Sequence, residues 1–187
     1  GRAILMAPFS NRIRNADYRF LGKDYRLPSS NPDKRQILHG FARDLAFACR
    51  PEVTEDAAVA TLTSTAIRPG FVEGYPFAID LAITLALTAH DLRITIKGKN
   101  GGKEVAPFAS GWHPYFRTGT RGIDHLRLAI PCRQKIVTDA GLIPLDGEAA
   151  YVPIREAKEF DFRPRKGGKA RPLGAVKIDG CFARLVP

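Results

Sequence analysis

Residues 77–88 read Phe77-Ala78-Ile79-Asp80-Leu81-Ala82-Ile83-Thr84-Leu85-Ala86-Leu87-Thr88. Phe77, Ile79, Leu81, Ile83, Leu85 and Leu87 alternate with small or polar residues. Successive side chains on a strand point to opposite faces, so this period of two predicts a strand with one face in a core. A turn at Ala89-His90-Asp91 follows, and then Leu92, Ile94 and Ile96 alternate with Arg93, Thr95 and Lys97. The two runs predict a β-hairpin. Working outward, residues 57–67 are rich in Val, Thr and Ala and read as another strand. Downstream, Leu126, Leu128 and Ile130 alternate with Arg127 and Ala129 as one more.

Turn clusters separate these runs: Pro28-Ser29-Ser30-Asn31-Pro32, Arg68-Pro69-Gly70 and the Gly-rich residues 98–102. No long window shows helical spacing of apolar residues. Short strands with Gly and Pro punctuation predict an all-β sandwich, mainly antiparallel, with little helix. Without an internal repeat or a low-complexity linker, residues 1–187 are expected to form a single domain.

The chain has 187 residues and is 44% apolar, which is ordinary for a globular domain. No apolar run approaches the roughly 18 residues of a membrane-spanning helix. The opening Gly1-Arg2-Ala3-Ile4-Leu5-Met6 does not read as a secretory signal, and the lack of an initial Met points to material removed upstream. Cys49, Cys132 and Cys181 are far apart and odd in number, so a reducing, cytoplasmic setting is expected rather than a disulfide framework. The formal charge is +10, yet the basic residues are mostly scattered. The one dense stretch is Arg163-Pro164-Arg165-Lys166-Gly167-Gly168-Lys169-Ala170-Arg171-Pro172, whose Gly and Pro read as a solvated loop. A nucleic-acid partner is not expected, because the aromatic residues cluster with Gly, Pro and His rather than among Lys and Arg.

Three stretches have the composition of a pocket wall, with a polar group set among apolar neighbours. They are Pro8-Phe9-Ser10-Asn11-Arg12-Ile13, Ile37-Leu38-His39-Gly40-Phe41, and Phe108-Ala109-Ser110-Gly111-Trp112-His113-Pro114-Tyr115-Phe116. Taken alone, Arg12 reads as a surface residue with a buried stem, His39 as a hydrogen-bonded histidine and His113 as part of an aromatic cluster. His90 is expected in an exposed turn and His125 on a strand face. Asp17, Asp24, Asp44 and Asp139 are expected in turns. No two histidines have the spacing of zinc ligands, and no metal is expected.

Read in order, Asn11-Arg12-Ile13, His39-Gly40-Phe41 and His113-Pro114-Tyr115-Phe116 resemble the aldose 1-epimerase, or galactose mutarotase-like, family. Gly74-Tyr75-Pro76-Phe77, Asn100, Leu142-Ile143-Pro144 with Gly147, Phe160-Asp161-Phe162-Arg163 and Ile178-Asp179-Gly180-Cys181-Phe182 extend the resemblance over nearly the whole chain. It implies the galactose mutarotase-like supersandwich, lacking N- and C-terminal strands. It implies an isomerase that interconverts the α and β anomers of a free aldohexose such as galactose or glucose, with no cofactor. It further implies that His113 is the general acid at the ring oxygen, and that Arg12, His39 and Asp179 bind sugar hydroxyls. Trp112, Tyr115 and Phe116 are expected to limit solvent, and the four site residues to converge on one concave face. The family's catalytic glutamate matches no residue here. The alternative is a non-catalytic carbohydrate-binding module of the same fold.

Overall fold

The computed structural model describes residues 3–29, 36–116, 119, 122–165 and 167–186. Part of the turn cluster at Pro28 and Lys166 of the basic stretch lie outside the described residues. The chain forms two compact units, Gly1–Tyr115 and Phe116–Pro187.

The first unit contains β1 (Ile4–Met6), β2 (Arg12–Ile13), β3 (Asp17–Phe20), β4 (Lys23–Arg26), β5 (Ile37–Leu38), β6 (Ala48–Val53), β7 (Ala58–Ile67), β8 (Ile79–Leu87), β9 (Leu92–Asn100) and β10 (Gly111–His113). The second contains β11 (Arg127–Leu128), β12 (Cys132–Ile136), β13 (Tyr151–Pro153), β14 (Arg171–Pro172) and β15 (Cys181–Leu185). Every pairing between these strands is antiparallel. Helix is confined to short 3₁₀ turns among the described residues, so the all-β expectation holds. No helix among the described residues is long and apolar enough to cross a membrane.

The predicted hairpin is β8–β9, the end of a four-stranded meander in the order β6-β7-β8-β9. Its register puts Leu87 opposite Leu92 and Ile83 opposite Ile96. Ile79, Leu81 and Ile83 are buried, as the alternation requires, while the intervening Asp80, Ala82 and Thr84 are half-buried. Asp80 is ion-paired with Arg68 across the strand ends. Burying three such aliphatic side chains contributes about 1.5–3 kcal/mol each.

Beside this sheet Tyr75 is 1% exposed. Its ring meets Phe9, Phe41 and Phe77 at 5.5, 5.7 and 5.1 Å between centroids. These are edge-on contacts, the favourable arrangement for aromatic quadrupoles. The Tyr75 hydroxyl donates to the Pro107 carbonyl at 2.7 Å, which ties the segment leading to β10 to the core. Burial pushes the Tyr75 phenol upward, so it remains a donor at all ordinary pH values. Tyr75→Ala is expected to cost about 3–5 kcal/mol in urea unfolding, whereas Tyr75→Phe should lose only about 1 kcal/mol with the hydrogen bond.

In the second unit β12 is the centre of a three-stranded sheet in the order β13-β12-β15, and β11 pairs with β14. Phe162, Ile154 and Cys132 are fully buried there.

Several expectations are corrected. His125 lies in a turn closed by the Leu126 amide donating to the Ile123 carbonyl at 2.9 Å, not on a strand. Asp17 and Asp24 stand on β3 and β4 rather than in turns, because each faces an arginine across the hairpin. Asp17 accepts from Arg26 at 2.9 and 3.2 Å, and Asp24 lies 3.7 Å from Arg19. Asp44 ends a 3₁₀ turn. Asp139 closes a turn through its carboxylate, which accepts from the Gly141 and Ile143 amides. His90 is exposed in the β8–β9 turn, as expected.

Candidate active site

The three pocket-wall stretches are anchored by the aromatic core. Phe9 and Phe41 pack edge-on at 5.4 Å, which leaves the polar residues beside them at the unit's surface. Arg12 on β2 lies opposite Leu38 on β5. The two-residue ladder continues through the His39 amide, which donates to the Asn11 carbonyl at 2.8 Å. Asn11 and His39 both adopt left-handed backbone conformations, with φ of 62° and 65°. Asn and His are among the few non-glycine residues enriched there. The Asn11 side chain accepts from Nη1 of Arg12 at 3.0 Å, which fixes one edge of the guanidinium.

Gly40 follows with φ of 65°, and a Cβ on it would collide with the carbonyl of Ala7. Only glycine lets the two backbones meet so closely. The Ala7 carbonyl accepts from the Phe41 and Ala42 amides at 2.7 and 3.0 Å. Ala7 continues β1, and β1 pairs with β10 so that Ile4 lies opposite His113. The Ala109 amide donates to the Pro8 carbonyl at 2.7 Å, a second tie between these segments. One joint therefore sets the positions of both histidines.

The rings of His39 and His113 lie 5.7 Å apart, edge to face. Tyr115 stacks on His113 at 5.1 Å and 22°. Tyr115 is 65% exposed and Phe116 81%, so neither is itself shielded from solvent. Burial, then the electrostatic influence of His113, Arg12 and Arg43, holds His39 below the usual imidazole range. His39 is therefore neutral at neutral pH. Nδ1 of both histidines is buried and bonds to no described residue. For His39, an imidazolium would bury an unpaired N–H at that atom, in line with its lowered pKa.

The first unit brings Arg12, His39 and His113 together. Asp179 belongs to the second unit, where it is exposed just before β15. Asn11 and Arg43 were given no role from sequence. The one signal for Asn11 was its residue type, which suits both a left-handed turn and a short side-chain acceptor.

The sequence matches the aldose 1-epimerase family model over residues 2–182. It is 27% identical over 179 residues to the uncharacterized protein YihR of Escherichia coli (strain K12), covering 95% of this chain and 53% of that protein. Among solved structures, the galactose 1-epimerase of Lactobacillus acidophilus NCFM is similar, with a TM-score of 0.73 at 20% identity over 91% of this chain and 47% of that one. The Slr1438 protein of Synechocystis sp. PCC 6803 has a TM-score of 0.59 at 30% identity, over 79% of this chain and 47% of its own. The fold is therefore galactose mutarotase-like, and the chain spans about half the length of these relatives. With a family match that runs through both units, the chain belongs to the aldose 1-epimerase family.

Proposed function

We infer that this chain carries the sugar-binding and proton-transfer face of a mutarotase acting on a free aldohexose such as galactose or glucose. The observation that carries this reading is the His39–His113 ring pair at 5.7 Å. Ring opening removes a proton from the anomeric hydroxyl and delivers one to the ring oxygen as the bond between anomeric carbon and ring oxygen breaks. The freed aldehyde turns about its bond to the next carbon. Closure on the other face returns both protons and gives the opposite anomer.

His113 is the acid at the ring oxygen. Its Nδ1 is sealed in the protein, which leaves Nε2 as the nitrogen that exchanges a proton with the sugar. The base is the family's glutamate, to which no residue of this sequence corresponds. A neutral His39 donates one hydrogen bond to a hydroxyl without adding a charge beside Arg12. Arg12, held by Asn11, donates from its remaining N–H groups, and Asp179 accepts from hydroxyls. The family match through both units supports treating residues 1–187 as part of one domain. A reducing, cytoplasmic setting, read from the spacing and odd number of the three cysteines, is part of this proposal.

Polarimetry of freshly dissolved α-galactose and α-glucose tests the proposal. In a protein that also carries the family's glutamate, the approach to anomeric equilibrium should quicken in proportion to protein concentration. Sugar binding by calorimetry with no such increase would favour the non-catalytic carbohydrate-binding module instead. Arg12→Ala should raise KM about tenfold or more with little change in kcat, because a charge-assisted hydrogen bond made equally in ground and transition states is lost.

A further inference from the structure

The basic stretch noted in the sequence lines a cleft of about 350 Å³ in the second unit, formed by Lys158, Asp161, Arg163, Pro164, Arg165 and Arg171. We propose that this cleft binds a phosphate-type oxyanion, the phosphate monoester group of a small molecule.

Two of its guanidinium groups are fixed in advance. Nη1 of Arg171 donates to the carbonyls of Lys158, Glu159 and Asp161 at 3.3, 3.0 and 3.3 Å. The same guanidinium lies 4.5 Å from the ring of Phe162, which is fully buried. Among the described residues only Nη1 of Arg171 is engaged, so Nε and Nη2 keep their donors for another acceptor. Arg163 is gripped by Asp161, its Nε donating to Oδ1 at 2.9 Å and its Nη2 to Oδ2 at 2.6 Å. That grip occupies both oxygens of the cleft's one carboxylate.

Lys158 and Arg165 are exposed and form no ion pair with a described residue. The loop that carries Arg165 is closed locally by its amide donating to the Lys169 carbonyl at 3.0 Å, and by the Gly168 amide donating to the Arg165 carbonyl at 2.9 Å. Cationic groups therefore outnumber acidic ones around the cavity, with Lys158, Arg163, Arg165 and Arg171 against Asp161. A guanidinium fork matches the geometry of phosphate oxygens, and prior fixing reduces the entropy lost on binding. The cavity volume is in the range of small-molecule sites. A solvated run of lysines and arginines would not have these anchored forks.

The test is isothermal calorimetry at low ionic strength with inorganic phosphate, glycerol 3-phosphate and a short DNA duplex. Phosphate should bind with a dissociation constant on the order of 1 mM, and glycerol 3-phosphate at least as tightly. The double variant Lys158→Ala, Arg165→Ala removes only exposed side chains, and it should weaken both by about tenfold. Arg171→Lys keeps the charge but loses the fork, and should weaken them similarly; it also loses the bonds to three carbonyls, so its melting temperature should fall slightly while that of the double variant is unchanged. No heat up to about 50 mM phosphate, or affinity unchanged in both variants, would overturn the proposal. So would binding of the duplex with no binding of either small anion, since that describes a polyanion-attracting surface rather than a cleft site.

Discussion

His113→Asn lowers kcat by about a hundredfold or more and leaves KM nearly unchanged, measured by polarimetry on the active protein. Asparagine is close to histidine in size and still hydrogen-bonds, so sugar contacts survive. It has no group that gives up and regains a proton near neutral pH, which imidazole does. The contribution of such an acid appears in the transition state as the ring oxygen takes on charge, so the loss falls on kcat. The surroundings favour this separation. His113 is placed by the β1–β10 ladder and by stacking on Tyr115, not by a hydrogen bond through Nδ1. Substitution therefore removes chemistry without unlatching the site. His39→Asn should behave in the opposite sense, raising KM more than it lowers kcat. Retention of more than about a tenth of the wild-type rate in His113→Asn would falsify the assignment, since general acid catalysis normally supplies more. His39 would then be the next residue to replace.

The sequence made some of this legible for physical reasons. Residues 77–88 alternate because β8 sits inside a sheet with one face on the core, so burial wrote its period into the chain. Strands β2, β5, β11 and β14 have two residues each and leave no period to read. They exist because distant partners meet them. Asp17 and Asp24 looked like turn residues, and the arginines across the β3–β4 hairpin let them stand on strands instead. At the site, Arg12, His39 and His113 were found through motif order, whereas residue types alone left each with an ordinary surface or core reading. Their meeting depends on backbone contacts at Ala7, Asn11 and Gly40 that involve no diagnostic side chain. Asn11 escaped notice as the group that holds Arg12 because neighbours in sequence reveal nothing about which way a side chain turns.

Gly40→Ala is the second change with a large expected effect, and it tests that backbone joint. Two penalties combine at Gly40. Its φ of 65° is a conformation that alanine adopts at a cost of about 1–2 kcal/mol. An added Cβ would also strike the carbonyl of Ala7, which is backbone and cannot swing aside like a side chain. Relief requires the end of β1 to move away from the segment after β5. That movement breaks the bonds from the Phe41 and Ala42 amides to Ala7 and carries His39 away from His113. The expected loss is about 3–5 kcal/mol in urea unfolding, a large share of a normal domain's stability, together with loss of sugar binding. Gly70→Ala separates the two penalties. Gly70 has φ of 88° and nothing within 4 Å of an added Cβ, so it carries the conformational cost without the collision. It should lose about 1 kcal/mol and bind sugar normally. Equal losses in the two variants would mean that the Ala7–Gly40 approach is not what holds the histidines in place. A Gly40→Ala protein that is destabilised but binds sugar with wild-type affinity would show that the site is set by the β1–β10 ladder alone.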